Sequence, residues 1–346
     1  MTSTPATWSI GDHRWLPGEP PLAPPRVRVI ADNDFSGDPD DLYQLVHHLL
    51  SPAVDVRLVV ASHLAPGDPF DPGPGSAANA LARVHELLDV MGLDASDADV
   101  EGGSRVVLGA DEALLDTTTP RDSQAARAII AEAMRDDDRP LYYCAGGGLT
   151  DVASAYLLEP AIAERMVLVW IGGPEHAGVA LPPPGVESPE YNLKIDVNAA
   201  RVVFNDSTLP LWQVPRDVYR QCLVSDIELR ERVLPHGPVG KLLYDALRRV
   251  NRFALGHTGG YPETYALGDS PLVLFTALQS HFQPDPSSST YVLRAAPVVD
   301  ERGETHLRET GRTIRVYTQV DVRLMFEDMF GKIAAFARWQ RAAAQD

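Results

Sequence analysis

Cysteine is almost missing from this chain, since only Cys144 and Cys222 occur and their separation matches no zinc or redox spacing. A disulfide scaffold and a thiolate metal site are thereby excluded. Both thiols read as core residues, which fits a reducing compartment or an absence of selection for disulfides. Positive charge is also short: 30 Lys and Arg face 48 Asp and Glu, for a formal charge of -18, and Lys194, Lys241 and Lys332 are the only lysines. Such a balance repels phosphate backbones and anionic lipid. It excludes a nucleic acid polymer or a membrane surface as partner and favours a neutral or cationic small molecule, or a metal ion. Long apolar runs are missing too. Segments such as Met166–Ile171 have strand length, far short of the roughly 20 residues of a membrane span. Met1 to Pro25 is proline-rich and carries Asp12 and Glu19 where a secretory leader needs an unbroken apolar stretch. A cytoplasmic protein is expected, with residues 1–25 as an irregular arm.

What is present is the composition of a folded globular protein, long enough at 346 residues to bury a large core. Arg26–Ala31 is a β-branched run that leads straight into acidic residues, the pattern of a buried strand ending at a functional loop. Leu42, Leu45, Val46, Leu49 and Leu50 then follow at helical spacing, and Val56–Ala61 reads as a second strand. A strand, helix and strand in that order require a parallel pair with a right-handed crossover. The alternation continues through helices at 77–91, 123–135 and 150–158 and strands at 141–144 and 167–171. Next come a helix at 199–204, a strand at 209–214 and helices at 238–251 and 270–278. After the polar turn Pro284–Ser289 the pattern changes to strands at 291–296 and 313–320 and a final helix at 321–343. Gly303 or Gly311 supplies the turn of an expected antiparallel hairpin. Lacking internal repeats and linkers, residues 26–346 read as one large α/β domain with a mainly parallel sheet flanked by helices.

The segment Asp32-Asn33-Asp34-Phe35-Ser36-Gly37-Asp38-Pro39-Asp40-Asp41 places five carboxylates in ten positions. Like charges that close repel by about 4 kcal/mol at 4 Å and an effective dielectric near 20, so a bound cation is a natural compensation. Carboxylate oxygens select calcium or magnesium over zinc or copper. A solvated acidic turn is the plain alternative, although the loop follows a strand end, where open α/β sheets bind ligands. An EF-hand is excluded because its twelfth position would be Tyr43 and a strand precedes it. A phosphatase of the haloacid dehalogenase type would use Asp32 and Asp34 as nucleophile and acid-base pair, but none of the three lysines stands in a convincing loop to neutralise a phosphate. Gly146, Gly147 and Gly148, between a strand and a helix, let backbone groups approach a ligand.

The strand, Asp-x-Asp, Gly, Asp-Asp and helix of the N-terminal region resembles the signature of inosine-uridine type nucleoside hydrolases. Three further segments resemble that family in its own order: Gly148-Leu149-Thr150-Asp151-Val152-Ala153; Glu190-Tyr191-Asn192 with Asp196 and Ala199-Ala200; and Val214-Pro215-Arg216-Asp217-Val218. The resemblance implies a Ca2+ ion held by Asp34, Asp41, the peptide oxygen of Thr150 and Asp269. It implies Asp34 as general base, Asp40, Glu190 and Asn192 as ribose ligands, and a homo-oligomer. Asn79 is a further candidate sugar contact. Plainer roles stay open, with Asp269 and Thr150 as helix caps, Asn192 as a buried turn residue and Asn79 as a surface residue.

Three departures fall on this pattern, one of them at Ser62-His63-Leu64, which stands where the family often carries an asparagine in the exit loop of the second strand. The aspartate loop is two residues longer than the family's, and Gly268 stands where many members carry a histidine able to protonate the leaving base. His257, Tyr261 or Tyr265 would then meet the leaving group. The expected activity is calcium-dependent hydrolysis of a nucleoside or related N-riboside, with a non-catalytic nucleoside- or sugar-binding protein as the competing reading.

Overall fold

The computed structural model describes residues 5–16, 23–186, 188–258, 262–280 and 288–345. Its centre is an eight-stranded sheet: β1 (Val27–Asn33), β2 (Val54–Ala61), β3 (Val106–Leu108), β4 (Leu141–Ala145), β5 (Met166–Ile171), β6 (Leu211–Val214), β7 (Thr290–Ala295) and β8 (Thr313–Gln319). The spatial order is β7-β8-β6-β5-β4-β1-β2-β3. Every pair is parallel except β7 with β8. From β1 the chain winds outward through β2 to β3, then returns to β4 on the other side of β1 and winds the opposite way. The crevice between β1 and β4 is therefore the point where strand order reverses, the place where such sheets bind ligands beyond their carboxyl ends.

All seven residues of β1 are buried, as expected for a strand covered on both faces. Its alternate residues feed two cores: Val29 and Ala31 pack with Val56 and Val59 on one face, and Ile30 with Leu58 and Val60 on the other. The first core is closed by helices Asp40–Leu49, Ser76–Met91, Gly237–Thr258 and Val322–Ala343, the second by Gln124–Ala133, Thr150–Leu158 and Val197–Arg201. In the N-terminal arm, Trp8 and Ser9 pair with Leu93 and Asp94, and the Trp8 indole donates to the Met91 carbonyl. Among the described residues no helix is long and apolar enough to cross a membrane.

The mainly parallel sheet and its C-terminal antiparallel addition agree with the sequence reading, and the differences have physical causes. β3 goes unread in the sequence because three apolar residues within a glycine-rich stretch fall below ordinary strand length. The helix expected at 199–204 is Val197–Arg201 continued by a π-turn, Val202–Asp206. The hairpin is less simple than expected: β8 joins the main sheet parallel to β6, and between β7 and β8 the chain makes a smaller hairpin of Val298–Val299 and Thr305–His306. Part of the expected turn at 284–289 lies outside the described residues.

Candidate active site

At the end of β1 successive side chains point to opposite faces of the sheet, so Asp32 and Asn33 take different roles. Asp32 is buried with both oxygens occupied, receiving the Ser62 and Tyr143 hydroxyls. Burial and Asp151 push its carboxyl pKa up to about 8. Asp32 is not among the residues lining the cavity beyond the strand ends, so the nucleophile that a phosphatase reading needs is not presented there. Asn33 points the other way and acts as a tie. Its amide donates to Gln44 Oε1 at 3.0 Å and Asp269 Oδ2 at 3.2 Å, while its Oδ1 accepts the Gly146 N–H at 2.9 Å.

Beyond Asn33 the loop turns into helix Asp40–Leu49, which puts Asp40 and Asp41 in a helical first turn, where negative charge is favourable. Ligand oxygens of Asp40, Asp41 and Asp269 lie within 4.8 Å of one another. All three residues and Asp34 are buried. Asp34 Oδ2 and Asp41 Oδ2 are buried with no hydrogen-bond partner, an arrangement that costs several kcal/mol unless a cation or a proton compensates. Burial, followed by the neighbouring carboxylates, drives the pKa values of Asp34, Asp40 and Asp41 well above the usual range and lifts Asp269 to about 7, chiefly by burial. Hard oxygen donors with unmet acceptors fit a divalent cation of the calcium or magnesium type.

These carboxylates line a cavity of about 340 Å³ together with Asp38, Phe70, Gly146, Glu190, Asn192, Tyr219 and Tyr265. Its floor depends on Gly146, where a Cβ would overlap Asp269 Oδ2. Glu190 caps helix Tyr191–Ile195. Its Oε2 receives the Gly173 and Leu193 amides at 2.7 and 3.1 Å, and its Oε1 the Tyr219 hydroxyl at 2.7 Å. Gly173 has φ 85°, a conformation that glycine adopts without strain, and this sets its N–H toward Glu190. Both amide protons of Asn192 go to carbonyls, of Gly146 at 2.7 Å and Ile171 at 2.8 Å, so its Oδ1 is what remains for a ligand.

Other expected residues fall elsewhere. Thr150 does not line the cavity; its hydroxyl donates to Asp196 Oδ2 at 2.7 Å and meets His63 Nε2 at 2.9 Å. Gly146 lines the cavity, and Gly147 packs against the Asp34 carboxylate. Asn79 is exposed, donates to Asp71 Oδ2 at 2.9 Å and lines a neighbouring cavity instead. Tyr265 is at the cavity, on strand Thr264–Ala266, with its hydroxyl donating to Asp38. Tyr261 and the side chain of His257 lie outside the described residues. Sequence reasoning assigned no role to Asn33, Asp38 or Tyr219. Asp38 had a visible signal, being the carboxylate of the lengthened loop, whereas Asn33 and Tyr219 had none.

The family model for "Inosine-uridine preferring nucleoside hydrolase" matches residues 29–327. The chain is 27% identical over 227 residues to the inosine-uridine preferring nucleoside hydrolase of Crithidia fasciculata, a match covering 61% of this chain and 64% of that protein. It thus spans slightly under two thirds of that relative's length. Among solved structures, a purine-preferring ribonucleoside hydrolase from Gardnerella vaginalis superposes with a TM-score of 0.65 at 20% identity, covering 90% of this chain and 99% of that one. A plant nucleoside hydrolase gives 0.64 at 18% identity, covering 90% and 100%. At these identities the superpositions establish the shared fold.

Proposed function

Because the chain belongs to the inosine-uridine preferring nucleoside hydrolase family, we propose that it hydrolyses the N-glycosidic bond of a ribonucleoside or related N-riboside, with calcium held among its buried carboxylates. The supporting observation is the convergence of Asp40, Asp41 and Asp269 beside Asp34 at the β1–β4 crevice, with buried carboxylate oxygens left unpartnered. Asp34, Asp41 and Asp269 would hold the ion, and a peptide oxygen, that of Thr150 or of the cavity-lining Gly146, would add a neutral donor. Bound there, calcium supplies Lewis acidity that eases loss of a proton from water.

The remaining chemistry belongs to the chain's own side chains. Asp34 accepts the proton of the attacking water. Asp40 and Asn192 Oδ1 receive ribose hydroxyls, and Glu190, fixed by three donors, adds negative charge beside the sugar. As the C1′–N bond breaks, its electron pair leaves with the base, and the surrounding carboxylates stabilise the positive charge that develops on the ring. Water oxygen then bonds to C1′. Tyr265 and Asp38 flank the side on which the base departs. Residues 26–346 form the catalytic unit in this reading, working as a cytoplasmic homo-oligomer, which sedimentation would test for the assembly.

The test is reducing-sugar release from purine, pyrimidine and nicotinamide ribosides, with and without chelator, by the native chain and by Asp34→Ala. Release is expected to stop on chelation, to return with calcium, and to fall by about 10³-fold in kcat/KM in the variant, the scale of a lost general base. Unchanged release after complete metal removal refutes the calcium mechanism. Binding of ribosides without any release leaves the non-catalytic sugar-binding reading.

A further inference from the structure

A second cavity of about 360 Å³ adjoins the first, and Asp38 and Phe70 stand in the walls of both. Its far wall carries Phe253, Arg83 and Arg249. Phe70 and Phe253 lie with ring centroids 6.0 Å apart, tilted by 53°, two apolar rings that a flat heterocycle can contact. Arg83 and Arg249 come from different helices, Ser76–Met91 and Gly237–Thr258. Burial and then the charge of Arg249 lower the Arg83 pKa, against the attraction of Glu86, so the two guanidiniums feel one another. Arg83 is already paired with Glu86, so Arg249 is the guanidinium whose charge an incoming anion would chiefly meet in this cavity. Two carboxylates share that lining, Asp38 and Asp71. Asp38 is engaged by Tyr265 and Asp71 by Asn79.

Resting on the hydrolase reading above, we infer that the second cavity receives the aglycone, and that Arg83 and Arg249 select an aromatic aglycone bearing a carboxylate. With ribose held at Asp40, the next open space past Asp38 is this cavity, and its aromatic walls suit a ring better than they suit a sugar phosphate. No histidine is found among the described residues lining either cavity. An aglycone that leaves as a neutral pyridine needs no proton, so pyridinium ribosides isolate the effect of charge. Hydrolysis of such a riboside balances as water adding across the C1′–N bond: the ring nitrogen keeps the electron pair, C1′ gains the hydroxyl, and one proton is released through Asp34.

Nicotinate riboside and nicotinamide riboside differ only in carboxylate against amide. Measured with the full chain, nicotinate riboside should show the higher kcat/KM by about tenfold, the scale of one charge-assisted contact. That ratio should fall toward one in Arg249→Gln and Arg83→Gln and be partly restored in Arg249→Lys. An equal or lower value for nicotinate riboside, or a ratio untouched by both glutamine variants, overturns the inference while leaving the hydrolase reading intact. A gain for nicotinamide mononucleotide in place of nicotinate riboside assigns the arginines to a sugar phosphate and overturns it as well. Should neither riboside be cleaved, release from purine and pyrimidine ribosides still decides the hydrolase reading. Calorimetric binding then decides the subsite separately: tighter binding of nicotinate riboside that is lost in Arg83→Gln supports it, and equal binding refutes it.

Discussion

Gly146 shows how much of the site rests on one missing side chain. Its N–H is held by Asn33, its carbonyl by Asn192, and a Cβ there would run into the Asp269 carboxylate. Gly146→Ala must therefore push Asp269 or the β4 turn aside, displacing an oxygen donor from Asp40 and Asp41. A shift of that kind near a metal site costs on the order of tenfold to a hundredfold in affinity or activity. Calcium titration and kcat/KM should both show the loss, whereas an alanine variant with native affinity and turnover would contradict the proposed place of Gly146 beside a bound ion. The glycine triplet was legible in the sequence as a place of close backbone approach. Which of its neighbours approached it was not, because Asn33 and Asp269 are 236 positions apart and meet through folding alone.

The helix Asp40–Leu49 carries the site at one end and two buried histidines at the other. His47 Nε2 meets Asp328 Oδ2 at 2.7 Å, and His48 Nε2 meets Thr276 Oγ1 at 2.8 Å. Burial is the main cause that pushes the His47 pKa down to about 4 and that of His48 to about 3, with Lys332 adding to both and Asp328 opposing it at His47. Both rings are neutral in the folded chain. In the unfolded chain they take up protons near pH 6.5, so between that value and about pH 4 the unfolded state binds more protons. The stability they confer is then complete above pH 6.5 and is lost as pH falls toward 4. Urea unfolding in excess calcium at pH 7, 6 and 5 should show this decline, with a shallower slope in His48→Gln. An equal slope in that variant would remove His48 from the account. The helix itself was legible from its apolar spacing. The burial of its histidines was not, since they become interior only where Pro271–Thr276 and Val322–Ala343 pack against them.

For the molecule as a whole, the site joins parts that are remote in sequence: the β1 loop, the β4 turn, the segment at Glu190, strand Thr264–Ala266 and Asp269. An ion that binds this arrangement and not the unfolded chain stabilises folding by RT ln(1 + [Ca]/Kd), about 2.7 kcal/mol at a hundredfold excess over Kd. Thermal unfolding should therefore shift upward with calcium and downward with chelator. In the Asp269→Asn and Asp41→Asn variants the shift should shrink, and an unchanged shift in both would place the ion elsewhere. The sequence by itself determined the parallel α/β architecture, because strand runs, helical spacing and their alternation are local patterns. It also determined the acidic loop at a strand end, because its five carboxylates lie within ten positions. Only the tertiary structure decided that Asp32 is bound by hydroxyls and kept out of the cavity, that Gly146 lines that cavity and Thr150 does not, and that Asn79 lines the neighbouring chamber. Those outcomes depend on which surfaces meet when distant helices close on the two faces of the sheet, and hydrogen bonds across more than a hundred residues leave no trace in local spacing.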